Sequence, residues 1–253
     1  MPAWTKRAYG RTRTVRRYGK KSMRRVARSE IMKMAESKRL FVFNLPFNFN
    51  AGTLAPGQNV GATYIYNPFT QLTGTGLLSG DDFLNPLLVL RLTAAVDYSR
   101  LIAAHSAMPT ITVTVALIAV NDQISTPTSR ITTIGEDAML YLRYPTSQMR
   151  WMFNGDNVTV IKKKKLIIDS KDVTPSGANP VVFRQMKVVA RLRGKKEMEQ
   201  TTTVGGLVQN MDYLKGWNFL WVVTSQAGIQ IVNSTTVNPF VLNADHYMYF
   251  KDF

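Results

Sequence analysis

Cysteine is absent from this chain of 253 residues. Disulfide bonds, thiolate metal sites and cysteine nucleophiles are therefore excluded, and the fold has to be held together by packing alone. Histidine is scarce as well, because the chain has only His105 and His246, and neither has a second histidine or a carboxylate at metal-ligand spacing. With so few catalytic groups, we predict neither an enzyme, a metal site nor a cofactor.

Carboxylates occur in three short groups in predicted loops. These groups are Asp81-Asp82, Glu136-Asp137, and Asp169 with Asp172. Oxygen-rich loops can hold a calcium ion where subunits meet, but no spacing here specifies such a loop. Solvated turn residues are the simpler interpretation, and the alternative of a cation site stays open.

Long apolar runs are also missing. The longest strongly apolar stretch is VALIAV, Val115 to Val120, whereas a helix that spans a bilayer needs about 20 such residues. The bases at the N-terminus are not followed by an apolar segment of signal-peptide length. The sequence therefore predicts a protein that does not insert into a membrane and that functions or assembles inside a cell.

Positive charge is present in excess, and it is concentrated at one end of the chain. The formal net charge is +16; residues 1–28 hold 11 Lys and Arg without any Asp or Glu, and the other 225 residues hold 21 bases and 16 acids, a net +5. Such segregation favours a polyanionic partner.

Residues 1–22 lack apolar periodicity and are predicted to be a disordered arm. In 22–37, apolar residues recur every three or four positions, which favours a short amphipathic helix, with disorder as the alternative.

From Lys38 onward the composition is typical of β-strands, with β-branched and aromatic runs separated by Pro, Gly and Asn. Eight substantial strands are predicted, at Leu40 to Phe47, Leu88 to Val96, Ile111 to Asn121, Ala138 to Tyr144, Val158 to Ile168, Val181 to Arg193, Trp217 to Thr224 and Asp245 to Lys251. Long connections at Phe49 to Pro86 and Gly194 to Gly216 favour Greek-key crossings. We therefore predict an all-β protein, with a basic arm at 1–37 and a single eight-stranded jelly-roll sandwich at 38–253.

Two local motifs have competing interpretations. TGTGLLSG, Thr73 to Gly80, lacks the Gly-x-Gly-x-x-Gly spacing of dinucleotide sites, so a flexible loop is the better interpretation. KKKK, Lys162 to Lys165, lies inside a predicted strand. It is either an edge or strand end that charge protects from aggregation, or a basic surface that faces nucleic acid, and we favour the first.

The composition of the arm is suited to binding nucleic acid. Its eight Arg and three Lys can neutralise phosphates and release counterions, which gives salt-sensitive affinity without sequence preference. Its tyrosines offer rings on which unpaired bases stack, which favours a single strand as the partner. The predicted nucleic-acid-binding residues are Lys6, Arg7, Arg11, Arg13, Arg16, Arg17, Lys20, Lys21, Arg24, Arg25, Arg28, Tyr9 and Tyr18.

The combination of arm and strands resembles a known family. An arm rich in Arg, Tyr and Gly that leads into eight strands with long loops resembles the capsid proteins of the small circular single-stranded DNA viruses, the circovirus-like, Rep-encoding group. The ending MYFKDF, Met248 to Phe253, is similar to the aromatic-Lys-Asp endings common among them. The resemblance implies a jelly-roll subunit of which about 60 copies close into a T=1 icosahedral shell. It also implies an arm that packages single-stranded DNA and acts as a nuclear localisation signal for the host import machinery, and thus a protein of the virion and the host nucleus.

Other classes of protein fit some of these features. The coat protein of a small RNA virus or satellite would look nearly the same, because phosphate and stacking contacts suit DNA and RNA alike. A non-assembling nucleic-acid-binding protein, of the viral nuclear-shuttle or movement type, explains the arm but not the long loops. The sequence gives no indication of the host receptor.

Overall fold

The computed structural model describes most of the chain from Met34 onward, in eight longer ranges and several short pieces. These are 34–47, 60–69, 82–105, 110–121, 152–169, 181–202, 208–227 and 240–252, with 23, 25–27, 29–30, 72, 78, 131–132, 142–143, 171 and 173. Contacts between Cα atoms divide the chain into two units, Met1–Glu36 and Ser37–Phe253. The second unit is built from β-sheets that curl into a half-barrel, so the predicted all-β class is confirmed.

Thirteen strands and the helix α1 are delimited within these described ranges. In chain order they are β1 (Glu36–Phe47), β2 (Val60–Tyr66), β3 (Asp82–Asp97), α1 (Tyr98–His105), β4 (Ile111–Asn121), β5 (Ile131–Thr132), β6 (Leu142–Arg143), β7 (Met152–Phe153), β8 (Val158–Ile168), β9 (Val181–Arg191), β10 (Lys195–Thr202), β11 (Val208–Leu214), β12 (Trp217–Ala227) and β13 (Phe240–Asp252). The bounds of β4 and β8 are those predicted from the sequence. The predicted number of eight strands is not confirmed, and of the strand predicted at Ala138 to Tyr144 only β6 falls within the described residues.

Two large antiparallel sheets contain most of these strands. The first has the order β1-β13-β3-β10-β11, with β9 beside β3, and the second has the order β5-β2-β12-β4-β8; β6 and β7 form a separate pair. A single apolar cluster joins side chains of the two sheets, among them Leu90 and Leu92 of β3, Val115 of β4 and Trp221 of β12. This cluster is the main core, and its burial is the chief source of stability.

Strand β4 is buried on both of its faces. Val113, Val115 and Leu117 point into the main core, whereas Ala116, Ile118 and Val120 belong to a second cluster on the far side of the sheet. Phe153 of β7 packs against this second cluster. In the β4 sequence, ITVTVALIAVN, alternation of apolar residues with Thr changes to a continuous apolar run, a pattern typical of a strand that is covered on both faces.

Two segments that were predicted to be long loops contain strands. Strand β2 lies within the segment from Phe49 to Pro86, and β10 and β11 form a hairpin within the segment from Gly194 to Gly216. The loop predictions are wrong, and for β10 the reason is that its sequence has almost no alternation of apolar residues. Strand β10 reads KKEMEQTT, in which Met198 alone is an apolar residue of the main core.

The junction between β9 and β10 explains how both pair with β3. Strand β9 pairs with residues 87–97 of β3 and β10 with residues 82–84, so they follow one another along the same neighbour. At the break, Gly194 has a φ of 86° and Asn85 a φ of 48°. The Asn85 amide donates to the Gly194 carbonyl at 3.0 Å, and the Gly194 amide donates to Asn85 Oδ1 at 2.8 Å. These mutual bonds satisfy the backbone where the ladder is interrupted.

The segment predicted to be either helical or disordered, 22–37, is described only in part. Residues 23, 25–27, 29–30 and 34 are helical, and β1 begins at Glu36, so the last two residues of the segment are strand. Residues 1–22, which include most of the predicted arm, lie outside the described residues.

An ion pair ties the first strand to the last. Lys38 Nζ lies 2.7 Å from Asp252 Oδ2, and the Asp252 side chain is only 2% exposed. In MYFKDF, Met248, Phe250 and Asp252 are buried while Tyr249 is exposed. A buried carboxylate needs a cation and hydrogen bonds to offset its desolvation, so Lys38 supplies the charge that this ending requires.

Helix α1 is capped by the last residue of β3. Asp97 Oδ1 accepts hydrogen bonds from the Ser99 amide at 3.1 Å, the Ser99 hydroxyl at 2.6 Å and the Arg100 amide at 3.2 Å. Burial tends to raise the pKa of Asp97, but the Ser99 hydroxyl and the other donors outweigh it and hold this pKa below the usual value. An Asp at this position satisfies amides that have no partner inside the helix.

We expect Asp97→Ala to lower the free energy of unfolding by about 1 kcal/mol, because the cap is lost. Asp97→Asn keeps an oxygen acceptor and serves as the matched control. Since the pKa of Asp97 is lower in the folded state, the advantage of the carboxylate over the amide exists above the unfolded pKa and is lost as the pH falls through the folded one. Urea titrations should therefore give curves for wild type and Asp97→Asn that converge below about pH 4; a gap that widens in acid would contradict this role.

Candidate nucleic-acid interface

Only one of the predicted nucleic-acid-binding residues is described by the structure. Arg25 is helical and exposed. The other twelve, from Lys6 to Arg28, lie outside the described residues, so the role of the arm stays a prediction. The question that the structure can address is what the folded sheets themselves offer to a polyanion.

The row of four lysines, Lys162 to Lys165, lies on an edge strand. Strand β8 is the last in the order of its sheet, and all four side chains are exposed. Lys162 and Lys164 stand opposite Leu117 and Val115, and Lys163 and Lys165 stand opposite Ala116 and Thr114. Directly opposed residues share a face, so the lysines alternate between two faces. The predicted edge position of this motif is therefore confirmed, whereas protection from aggregation and contact with nucleic acid both stay predictions.

The lysine row approaches the edge of the other sheet. Lys164 Nζ donates to the backbone carbonyl of Lys187, on β9, at 3.1 Å. Lys163 Nζ lies 5.5 Å from the centre of the Phe153 ring. Partial burial, with a smaller effect from the charge of Lys165, lowers the pKa of Lys163. Long stems thus cover apolar surface while the charged ends reach the surface of the protein.

Strand β9 has the two faces that its sequence predicts. Val182, Met186, Val188, Ala190 and Leu192 are buried, and Gln185, Lys187, Arg191 and Arg193 are exposed. Lys187 stands opposite Arg91 of β3 in the register. The outer side of the first sheet therefore carries a group of cations on two neighbouring strands.

Aromatic rings adjoin these cations on the same outer side. Phe41 and Phe43 of β1 are stacked with their centroids 5.9 Å apart, and Tyr247 of β13 meets them edge-on at 5.3 and 6.1 Å. Two guanidinium groups lie over the rings: Arg39 is 4.6 Å from the centre of Phe41, and Arg91 is 5.0 Å from the centre of Tyr247. We call these five residues the aromatic face.

The aromatic face was not identified from the sequence, although FVFNLPF alternates clearly. Its alternation predicts that Phe41, Phe43 and Leu45 share one side of the strand, opposite Leu40 and Val42. In the structure Leu40, Val42 and Leu45 are buried, while Phe43 is exposed. Asn44 has a φ of 50°, which breaks the alternation, and its amide donates to Asp245 Oδ1 at 3.1 Å. The signal in the sequence was Arg-x-Phe-x-Phe, a cation in phase with two rings.

Several carboxylates in the described part of the chain pair with lysines, as Asp252 does with Lys38. Lys195 Nζ lies 2.5 Å from Asp82 Oδ2, and Lys215 pairs with Glu197. The bond to Asp82 raises the pKa of Lys195, and the bond from Lys215 lowers the pKa of Glu197. No group of three or more His, Asp or Glu side chains within the described ranges is arranged to hold a metal ion. Asp81, Glu136, Asp137 and Asp172 lie outside those ranges, as does TGTGLLSG apart from Leu78.

Neither histidine is one of the five residues of the aromatic face. His246 is fully buried in β13, and its ring lies 5.4 Å from that of Tyr66 in a T-shaped contact. His105 is the last residue of α1. Among the helices that the structure describes, none is long and apolar enough to cross a membrane.

Comparison with known proteins gives no relative from which a function could be transferred. No protein-family model matches the chain, and no curated protein matches it. The strand order and the chemistry of the outer side of the first sheet are the features of the molecule that bear on its function.

Proposed function

We propose that this protein is the capsid subunit of a small icosahedral virus and that it packages single-stranded nucleic acid. The cargo that we propose is circular DNA. The observation that carries the proposal is the nesting of strand pairs. Strand β1 neighbours β13, β2 pairs with β12, β3 with β9, and β4 with β8. In chain order, these eight strands thus pair first with last, second with seventh, third with sixth and fourth with fifth.

Nested pairing of this kind supports a jelly roll. In a jelly roll, the chain forms one long hairpin, whose tip here lies between β4 and β8. This hairpin then rolls up, which also brings β13 beside β3 and β12 beside β4. Both of these pairings are present. The jelly roll is the eight-stranded, two-sheet solution that closes its own core, and it is common in viral capsids. The extra strand β5 lies at one end of its sheet, and the extra hairpin of β10 and β11 extends the other sheet beyond β3, as insertions in the loops of such a fold would.

The distribution of charge supports packaging as the role of the arm. Residues 1–28 carry +11 and the remaining 225 residues carry +5, so cation density is far higher in the arm than in the sheets. In a closed shell of about 60 subunits related by symmetry, arms on one side would bring several hundred cations to an enclosed polyanion. Before assembly, the same exposed bases suit recognition by nuclear import receptors.

Assembly is the property that separates this proposal from a non-assembling nucleic-acid-binding protein. We expect the purified full chain to form shells of uniform diameter in negative-stain electron microscopy, with nuclease-protected nucleic acid inside. Sequencing that nucleic acid would show whether the cargo is DNA or RNA. A chain that binds single strands but stays a small species in every buffer tested would overturn the capsid proposal and favour the binding-protein class.

A further inference from the structure

The aromatic face leaves one of its rings largely exposed to solvent. Phe43 is 62% exposed, although Leu40, Val42 and Leu45 of the same strand are buried. An exposed phenylalanine in contact with two further rings is an apolar patch on a surface that water otherwise covers, and such patches usually mark a binding site. The rings therefore need a ligand with an apolar, flat surface.

The charges around the rings select a polyanion as that ligand. Arg39 and Arg91 lie over the rings themselves, and Lys187 and Arg191 are exposed on β9, the strand beyond β3. Asp245 is the carboxylate nearest to them in the register, opposite Arg91, and its Oδ1 already accepts the Asn44 amide. A second copy of the same face would bring like charges together, so the face is unsuited to pairing with itself.

A single strand of nucleic acid has both properties, flat rings and regularly spaced negative charges. Unpaired bases stack on aromatic side chains, and Arg adds cation–π contacts. Neighbouring strands are about 4.8 Å apart, so β1 and β9, separated by β13 and β3, are roughly 14 Å apart across the sheet. If bases stack on the rings of β1 and β13, the next phosphates along the nucleic-acid strand therefore lie within reach of Arg91, Lys187 and Arg191. The bases of a duplex are paired and stacked with one another, so their faces are not free to stack on these rings.

We propose that the aromatic face binds single-stranded DNA, with bases stacked on Phe43 and Tyr247 and phosphates held by Arg39, Arg91 and Lys187. The identity of the cargo rests on the proposed function, but the site itself belongs to the folded sheets and is separate from the arm. It gives the shell domain a contact with the genome that depends on stacking. Because stacking is far less sensitive to salt than phosphate contacts are, the two sites differ in a property that can be measured.

Photocrosslinking of the full chain locates the site directly. A single-stranded oligodeoxynucleotide that contains 5-iododeoxyuridine couples on irradiation to an aromatic ring on which the base stacks, and mass spectrometry of the digested protein identifies the residue. We expect crosslinks at Phe43 or Tyr247 that an unlabelled single strand suppresses and an unlabelled duplex does not. Crosslinks confined to Trp4, Tyr9 and Tyr18 would overturn this inference while leaving the arm hypothesis intact. Absence of any binding would overturn both.

A substitution tests the same site by affinity. At about 0.5 M salt, where phosphate contacts are weakened, Phe43→Ala in the full chain is expected to bind a single-stranded oligodeoxynucleotide roughly 5- to 100-fold more weakly, the loss of one stacked base. Trp217→Ala is the matched control, because Trp217 is an exposed ring on β12 of the other sheet. Equal losses in the two variants, or none in Phe43→Ala, would contradict the assignment.

Discussion

Replacing Trp221 with alanine is expected to lower the free energy of unfolding by about 3 to 5 kcal/mol. Trp221 is fully buried in the main core, in the middle of β12. Its strand is flanked by β2 and β4, where Tyr66 and Leu117 stand opposite it. Removal of the indole therefore leaves a cavity between two sheets whose backbones are held by ladders on both sides, so the site cannot collapse to fill it.

The same strand provides the control for this substitution. Trp217 is the first residue of β12, and its side chain is 49% exposed. Trp217→Ala is expected to change the stability by no more than about 0.5 kcal/mol. Urea unfolding of the monomeric chain, monitored by circular dichroism, gives both values. Similar losses in the two variants would mean that the core is not centred on Trp221.

Neutralising the eleven arm bases is expected to abolish most of the salt-sensitive affinity for nucleic acid. Each Lys or Arg that contacts a phosphate of a single strand contributes about 0.7 to the slope of log K against log salt. A variant with Gln at all eleven positions, from Lys6 to Arg28, should therefore reduce the slope by up to about 8. Fluorescence anisotropy with a labelled single strand, over about 50 to 200 mM salt, measures the change.

The lysine row on β8 is the matched control for the arm. Gln at Lys162 to Lys165 removes four cations that the structure places on an exposed edge strand, and it should reduce the slope by at most about 3. If this variant lost more affinity than the arm variant did, the arm would not be the main contact with nucleic acid. The preference for an edge interpretation of KKKK over a binding interpretation would then be wrong too.

The strands that were predicted well are those whose burial produces a regular pattern of apolar residues in the sequence. Strand β4 is apolar on both faces because structure covers both, and β9 alternates because one of its faces is exposed. Strand β10 has no such pattern. It is held by backbone pairing with β3 and β11 and by ion pairs such as Lys195 with Asp82, and these contacts require no apolar side chains.

The candidate site was harder to predict because it depends on a break in a pattern. An alternating run such as FVFNLPF shows that a strand has two different faces, but Phe is as typical of a core as Leu is. The left-handed conformation of Asn44 brings Leu45 onto the buried side with Leu40 and Val42, and so leaves Phe41 and Phe43 on the outer side. The arrangement of Tyr247 and Arg91 against these rings depends on β13 and β3, which are distant in the chain.

The pairing of the first strand with the last has a consequence for synthesis of the chain. Lys38 and its partner Asp252 are 214 positions apart, so a ribosome that adds about 5 to 20 residues per second needs roughly 10 to 40 s between them. Until then, β1 and β3 lack the strand that separates them in the sheet, and neither the Lys38 pair nor the Tyr247 contact with the two phenylalanines can form. A chain that terminates before β13 therefore cannot build this surface, because the strand that joins β1 to β3 is missing.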